Sequence, residues 1–212
     1  MDQTTENRFP RVILASASPR RLDLLRQVGI EPEIEPSHVE EVITSTVPDQ
    51  VVMELSRQKA EDIAALHTGE DAIVIGADTV VAYDGKILGK PKDEADAVRM
   101  IRSFQGKVHQ VYTGVTLVFC GKAAENAAEQ WKTITFAEKT EVFVCSMTEQ
   151  QIEDYVKTGE PMDKAGAYGI QGYAAIFIEK IDGDYYNVMG LPVCQVGLML
   201  RRAGIPVLGA EA

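Results

Sequence analysis

Cysteine is scarce in this chain of 212 residues. Cys120, Cys145 and Cys194 are too few and too scattered for a disulfide framework or a thiolate zinc site. They read as small buried apolar residues and fit a reducing, cytoplasmic setting. Basic residues are also in deficit, 21 against 32 acidic ones, giving a net charge of −11. That field repels nucleic-acid backbones and anionic membrane surfaces, so neither a polymeric nucleic acid nor a membrane is expected as a partner. A small anion is still compatible, because inside a cleft it senses local cations more than the whole-protein charge. No apolar run approaches the roughly 18 residues of a membrane helix, and Met1 to Arg11 lacks the apolar stretch of a secretory signal. His38, His67 and His109 do not form a metal-ligand spacing. Linkers, internal repeats and low-complexity tracts are absent too, so one domain over residues 1–212, or two lobes sharing a cleft, is expected.

What is present is an alternation of strand-like and helix-like segments. The pattern predicts strand 11–15, helix 19–28, strand 32–36, helix 49–66 with Asp49 as its cap, strand 72–78, a separate short strand 79–83, and helix 93–104. Residues 108–145 read as a long antiparallel pair around a polar hairpin region. Thr148 to Gln151 is a capping box opening helix 148–157, which Gly159 and Pro161 end. Strand 174–181, a tight Asp182-Gly183 turn, strand 184–188 and a helix of about 191–203 stopped by Gly204 complete the reading. The fold class is α/β, a mixed twisted sheet flanked by helices.

Two segments carry chemistry. In Ala15-Ser16-Ala17-Ser18-Pro19-Arg20-Arg21, a strand-to-helix turn places two arginines in the first helical turn, where the dipole ordinarily favours Asp or Glu. An anion resolves the conflict: free amides, the Ser16 and Ser18 hydroxyls, Arg20 and Arg21 can converge on a polyphosphate. In Asp163-Lys164-Ala165-Gly166-Ala167-Tyr168-Gly169-Ile170-Gln171-Gly172, small residues leave the backbone uncovered between polar side chains suited to a ligand. Asp78 ends the apolar run Ala72 to Ala77, where open α/β sheets place reacting groups. Lys90 is held in a turn between Gly89 and Pro91, whereas Lys59 on its own reads as a surface lysine.

Read in order with Lys59-Ala60, Ala77-Asp78-Thr79, Gly89-Lys90-Pro91 and His109 to Gly114, these segments resemble the Maf family of nucleoside triphosphate pyrophosphatases over nearly the whole chain. The 163–172 loop is similar to that of the branch acting on dTTP and UTP and unlike the 7-methyl-GTP branch. Ala17 stands where many members have Gly, and Glu54 where some have Arg, which puts only a peripheral contact in doubt.

The resemblance implies two lobes around a central cleft, as in Maf and ITPase folds. It implies a triphosphate clamp of Arg20, Arg21, Lys59 and Lys90, Asp78 as proton acceptor, and Glu41 beside Asp78 at a divalent cation, magnesium or manganese, with Glu40 as the adjacent rival. Substrate choice falls to Arg20, Thr79 and Gln171. A Gln amide can both donate to and accept from the edge of uracil or thymine. His109 matches the pattern without an assigned role, and Asp163 and Lys164 either line the site or pair with each other. The implied partner is a nucleoside triphosphate, and a homodimer is left open. A nucleotide-sensing module that restrains septum formation, a 7-methyl-GTP pyrophosphatase and a purine house-cleaning enzyme are the alternatives.

Overall fold

The computed structural model describes residues 10–126, 132–203, 205 and 207. Among them the strands are β1 (Arg11–Leu14), β2 (Glu33–Ile34), β3 (Ala72–Tyr83), β4 (Lys86–Leu88), β5 (Val108–Phe119), β6 (Thr133–Val144) and β7 (Ile178–Asp182). The α-helices are α1 (Pro19–Gln27), α2 (Pro48–Ala64), α3 (Glu94–Phe104), α4 (Gly121–Asn126), α5 (Glu149–Lys157), α6 (Tyr185–Met189) and α7 (Val193–Arg202). The strands form one sheet in the order β2-β1-β3-β5-β6-β7, with β4 folded back on β3. The β2-β1-β3 pairs are parallel and the rest antiparallel, a mixed α/β sheet as the alternation predicts.

The two-residue period of β3 divides the core. Ala72 and Val74 pack with Ile13 and with Ala60 and Ile63 of α2, while Ile73, Ile75 and Ala77 pack with Leu24 and Leu25 of α1 and Leu200 of α7. Full burial of each leucine stabilises by about 1.5–3 kcal/mol. Further along the same face as Ile75, Val81 and Val111 join a third cluster with Phe104 of α3 and Ile152 of α5. Thr79 and Thr113 stand opposite one another between the two apolar clusters.

On the other face α2 lies almost against the sheet backbone. A Cβ at Gly76 would sit 2.3 Å from the Ser56 carbonyl oxygen, and one at Gly114 2.2 Å from that of Val52. Only glycine permits this approach. The buried Ser56 hydroxyl meets Thr116 at 3.0 Å, and Thr116 meets Thr135 at 3.0 Å, so the polar groups in this tight contact are satisfied.

Several elements differ from expectation. The break expected between Asp78 and Thr79 is absent, because pairing with β5 runs unbroken from Ile73–Phe119 to Ala82–Gln110. Residues 173–177 form a 3-10 turn instead of the start of strand 174–181, since the Glu160 carboxylate accepts from the Tyr173 and Ala174 amides at 2.7 and 3.3 Å. The expected strand 184–188 is helix α6, capped by Asp184, which accepts from the Tyr186 amide. Val47 is the N-cap of α2 and Pro48 its first residue, so Asp49 lies inside the first turn and does not cap it. Strand 32–36 shrinks to two residues, part of the 108–145 hairpin region is α4, and Gly204 lies outside the described residues. The Thr148–Gln151 capping box forms as read.

If α2 needs backbone contact at Gly76, Gly76→Ala should destabilise the fold by roughly 1–3 kcal/mol, whereas Gly69→Ala, with open space around it, should stay within about 0.5 kcal/mol. Urea unfolding midpoints of the two variants test this, and equal midpoints would contradict it.

Candidate active site

β1 stops at Leu14, level with Ile75, while β3 runs on to Tyr83. Among the described residues, positions 76–80 of β3 therefore have a strand partner on the β5 side alone. A cleft of about 720 Å³ opens at this edge, and both Asp78, facing α2, and Thr79, facing α1, reach it. It is the switch point at the end of a parallel strand where α/β sheets place ligands.

The turn after β1 brings Ser16, Arg20 and Arg21 to the same cleft. Ser18 is the N-cap of α1, but its hydroxyl makes no capping hydrogen bond, and no acidic residue occupies the first turn. The two arginines part company. Arg20 points outward, 3.4 Å from Asp163 Oδ2. Arg21 turns inward and donates from Nε to the Gly190 carbonyl (2.8 Å), from Nη1 to Ser16 Oγ (2.9 Å) and from Nη2 to Thr79 Oγ1 (3.1 Å). Burial lowers the pKa of its guanidinium, with the Asp78 carboxylate opposing the shift.

The close approach of α2 sets Lys59 against Asp78, and the Lys59 ammonium also lies 2.9 Å from Glu41 Oε1. Asp78 and Lys59 are mostly buried, Glu41 half-exposed. Glu41 rather than Glu40 makes this contact and lines the cleft. It rides on an extended segment pinned to α2: Gln58 exchanges two hydrogen bonds with Val42, and Glu54 accepts from the Thr44 amide and hydroxyl at 2.9 and 2.5 Å. Glu54, a departure from the family pattern, is thus a support for the segment that delivers Glu41. Among the described residues, no group of three acidic, histidine or cysteine side chains converges on one point.

The far wall is the 163–172 loop, wound into 3-10 turns. Its Gly166 amide donates to the Gly89 carbonyl at 3.0 Å, which joins it to the turn carrying the exposed Lys90. Gln171 stands exposed on the lip. Asp163 and Lys164 do both things expected of them, lining the cleft and pairing at 2.6 Å. Burial pushes the Asp163 carboxyl up, but Lys164 and Arg20 outweigh it and hold it below its ordinary value.

Sequence reasoning missed Glu160. Its carboxylate accepts from Tyr155 Oη at 2.9 Å as well as from the two loop amides, and Tyr155 Oη accepts from the Gly169 amide at 3.2 Å. A side chain at Gly172 would strike it. Nothing local signals this role, since it exists only once the loop folds back over α5. His109 lies behind the loop and outside the cleft lining, fully buried against the Phe104 ring, with Nε2 2.8 Å from Tyr168 Oη and Nδ1 without a hydrogen-bond partner among the described residues. Burial pushes its pKa down to about 4.

With this geometry in view, the family model described as "Maf-like protein" matches residues 11–203. The chain belongs to the Maf-like family. A protein of Agathobacter rectalis named dTTP/UTP pyrophosphatase is 52% identical, over 93% of this chain and 99% of that one. A Bacillus cytotoxicus protein of the same name is 48% identical, over 91% and 95%. Among solved structures, the Staphylococcus aureus Ham1 protein aligns over 64% of this chain and 72% of its own with a TM-score of 0.43 and 12% identity, too distant to bear on function.

His109 is neutral in the fold and has an ordinary pKa of 6.5 in the unfolded chain, so its contribution to stability is complete above pH 6.5 and is lost as pH falls toward 4. The loss amounts to about 3 kcal/mol. Unfolding titrations of the wild type and His109→Gln between pH 7.5 and 4.5 should show the wild type losing that much more stability than the variant; parallel pH profiles would contradict it.

Proposed function

We propose that this protein hydrolyses the α,β-anhydride of pyrimidine nucleoside triphosphates, dTTP and UTP, to the nucleoside monophosphate and pyrophosphate. One observation carries the reading: a mostly buried carboxylate, Asp78, stands in the same cleft as Arg20, Arg21, Lys59, Lys90 and the uncapped start of α1. Amides at a helix start and guanidinium groups favour phosphate, and a carboxylate among them suits a proton acceptor. The names carried by relatives such as those of A. rectalis and B. cytotoxicus support the substrate choice.

In this reading Arg20 and Lys90, with the Ser16 hydroxyl, bind the phosphate oxygens and follow their charge toward the leaving pyrophosphate. Lys59 orients the Asp78 carboxylate, and Asp78 takes the proton of the attacking water. Arg21, with three bonds committed to the protein, positions Ser16 and Thr79 more than it clamps. Glu41 and Asp78 both reach the Lys59 ammonium, and two carboxylates with substrate phosphates are the donor set in which magnesium or manganese is commonly held. Such a cation supplies further neutralisation of the phosphate oxygens. Gln171 at the lip, with Arg20 and Thr79, reads the nucleoside. Removal of modified or surplus pyrimidine triphosphates in the cytoplasm is a house-cleaning task that fits this chemistry.

Pyrophosphate release from a panel of nucleoside triphosphates, with and without magnesium, tests the activity itself. Asp78→Asn should lower kcat by about 10²-fold or more while substrate still binds, since the amide keeps the shape and removes the base. Near-normal turnover would remove Asp78 as the proton acceptor, and a wild type that binds the triphosphates without releasing pyrophosphate would return the cleft to a nucleotide-binding module. Gln171→Leu should reduce the preference for UTP over GTP by about 1–3 kcal/mol in kcat/KM, and an unchanged ratio would remove Gln171 from base recognition.

A further inference from the structure

The Thr79 hydroxyl sits at the head of a hydrogen-bond chain whose directions follow from its two ends. Thr113 Oγ1 is 2.9 Å from the Asn187 carbonyl oxygen, which can only accept, so the single Thr113 proton is committed there. Thr79 Oγ1 is 2.9 Å from Thr113 Oγ1, and with the Thr113 proton spent, Thr79 must be the donor of that bond. Arg21 Nη2, which can only donate, occupies one lone pair of Thr79 Oγ1 at 3.1 Å. One lone pair and no proton remain to face the cleft. The far end of the chain is fixed too: Thr113 and Asn187 are fully buried, and the Asn187 amide donates to the Val111 carbonyl at 3.1 Å and to Thr140 Oγ1 at 2.9 Å.

Ser16 ends with the opposite polarity. Its oxygen accepts from Arg21 Nη1 at 2.9 Å and from the Ser18 amide at 3.3 Å, which fills its lone pairs and leaves its proton free. Arg21 donates to both oxygens, and their second partners, the Ser18 amide at Ser16 and Thr113 Oγ1 at Thr79, make the first a donor toward the cleft and the second an acceptor.

We infer that Thr113, held by Asn187, is a positioning residue for specificity: it makes Thr79 an obligate acceptor, so that Thr79 takes a hydrogen bond from a donor on the nucleoside and cannot serve a phosphate oxygen. This inference rests on the proposed nucleotide substrate. An ionised triphosphate carries no donor on its phosphates. The donors that dTTP and UTP share are the base N3-H and the 3′-hydroxyl, because the 2′-hydroxyl is absent from dTTP. Cytosine presents an acceptor at N3 and is disfavoured opposite a bare lone pair.

The test uses Thr113→Val, which keeps the shape and cannot accept, and Thr113→Ser, which restores the hydroxyl. In Thr113→Val the Thr79 proton is released toward the cleft. One of two kcat/KM preferences should then narrow roughly tenfold: UTP over CTP if the donor is N3-H, or dTTP over 2′,3′-dideoxythymidine triphosphate if it is the 3′-hydroxyl. Thr113→Ser should keep both preferences. If both survive in a folded Thr113→Val protein, or if Thr113→Ser narrows them equally, the inference is overturned. Binding of the α,β-methylene analogues of the same nucleotides keeps the two readings apart: a wild type that binds them with the stated preference but releases no pyrophosphate from the parent substrates loses the proposed activity alone. Failure to bind any of them would overturn both.

Discussion

Everything in the cleft depends on how closely α2 approaches the sheet. Gly76 and Gly114 stand diagonally across β3 and β5 and let the α2 backbone come within reach of atoms that any side chain would displace. The approach sets the height of Lys59 above β3, so that its ammonium, itself mostly buried, ends between Asp78 and Glu41. Gly114 also pairs directly with Asp78 across the strands, so the carboxylate has no cross-strand side chain competing for the space it shares with Lys59. A helix held at the usual distance by side chains would leave this lysine solvated and the carboxylate without an orienting partner.

Charge at the cleft runs against the charge of the chain. The protein carries a net −11, yet five cationic side chains, Arg20, Arg21, Lys59, Lys90 and Lys164, line the cleft against four carboxylates. The cost of burying Arg21 is offset by three hydrogen bonds to neutral protein groups and by the nearby Asp78 carboxylate. A small anion entering the cleft therefore meets a surface already ordered for it, with less reorganisation left to occur on binding.

Parts of this were legible in the sequence because their causes are local. The run Val12-Ile13-Leu14, the Ser18-Pro19 start and the Thr148–Gln151 box each contain their own signal, and all form as read. The place of Asp78 in the cleft was legible by position, at the end of an apolar run. The division of labour between Arg20 and Arg21 was not. The two are adjacent, and which one turns inward depends on a carbonyl 169 residues away at Gly190. The same holds for residues 173–177, whose β-like composition yields to a carboxylate at Glu160, and for α6, whose alternating pattern yields to a cap at Asp184 and to burial of Asn187 beneath it. The join at Asp78-Thr79 looked like a boundary because polar residues interrupt valines, but strand continuity there is imposed by β5.

That uninterrupted strand has an arithmetic side. Asp78 and Thr79 are neighbours in sequence and lie on opposite faces of one sheet, the first toward α2 and the second toward Arg21. In the proposed reaction, proton acceptor and nucleoside contact are thus separated by one step of the pleat. Gly76 apart, a substitution in Ala72 to Ala77 alters packing and leaves the two side chains on their faces. A one-residue insertion or deletion exchanges them, sending a carboxylate toward the threonine row and a threonine toward Lys59. Gly76 apart, the segment leading into the site can drift in composition over evolutionary time, but its length is constrained by parity.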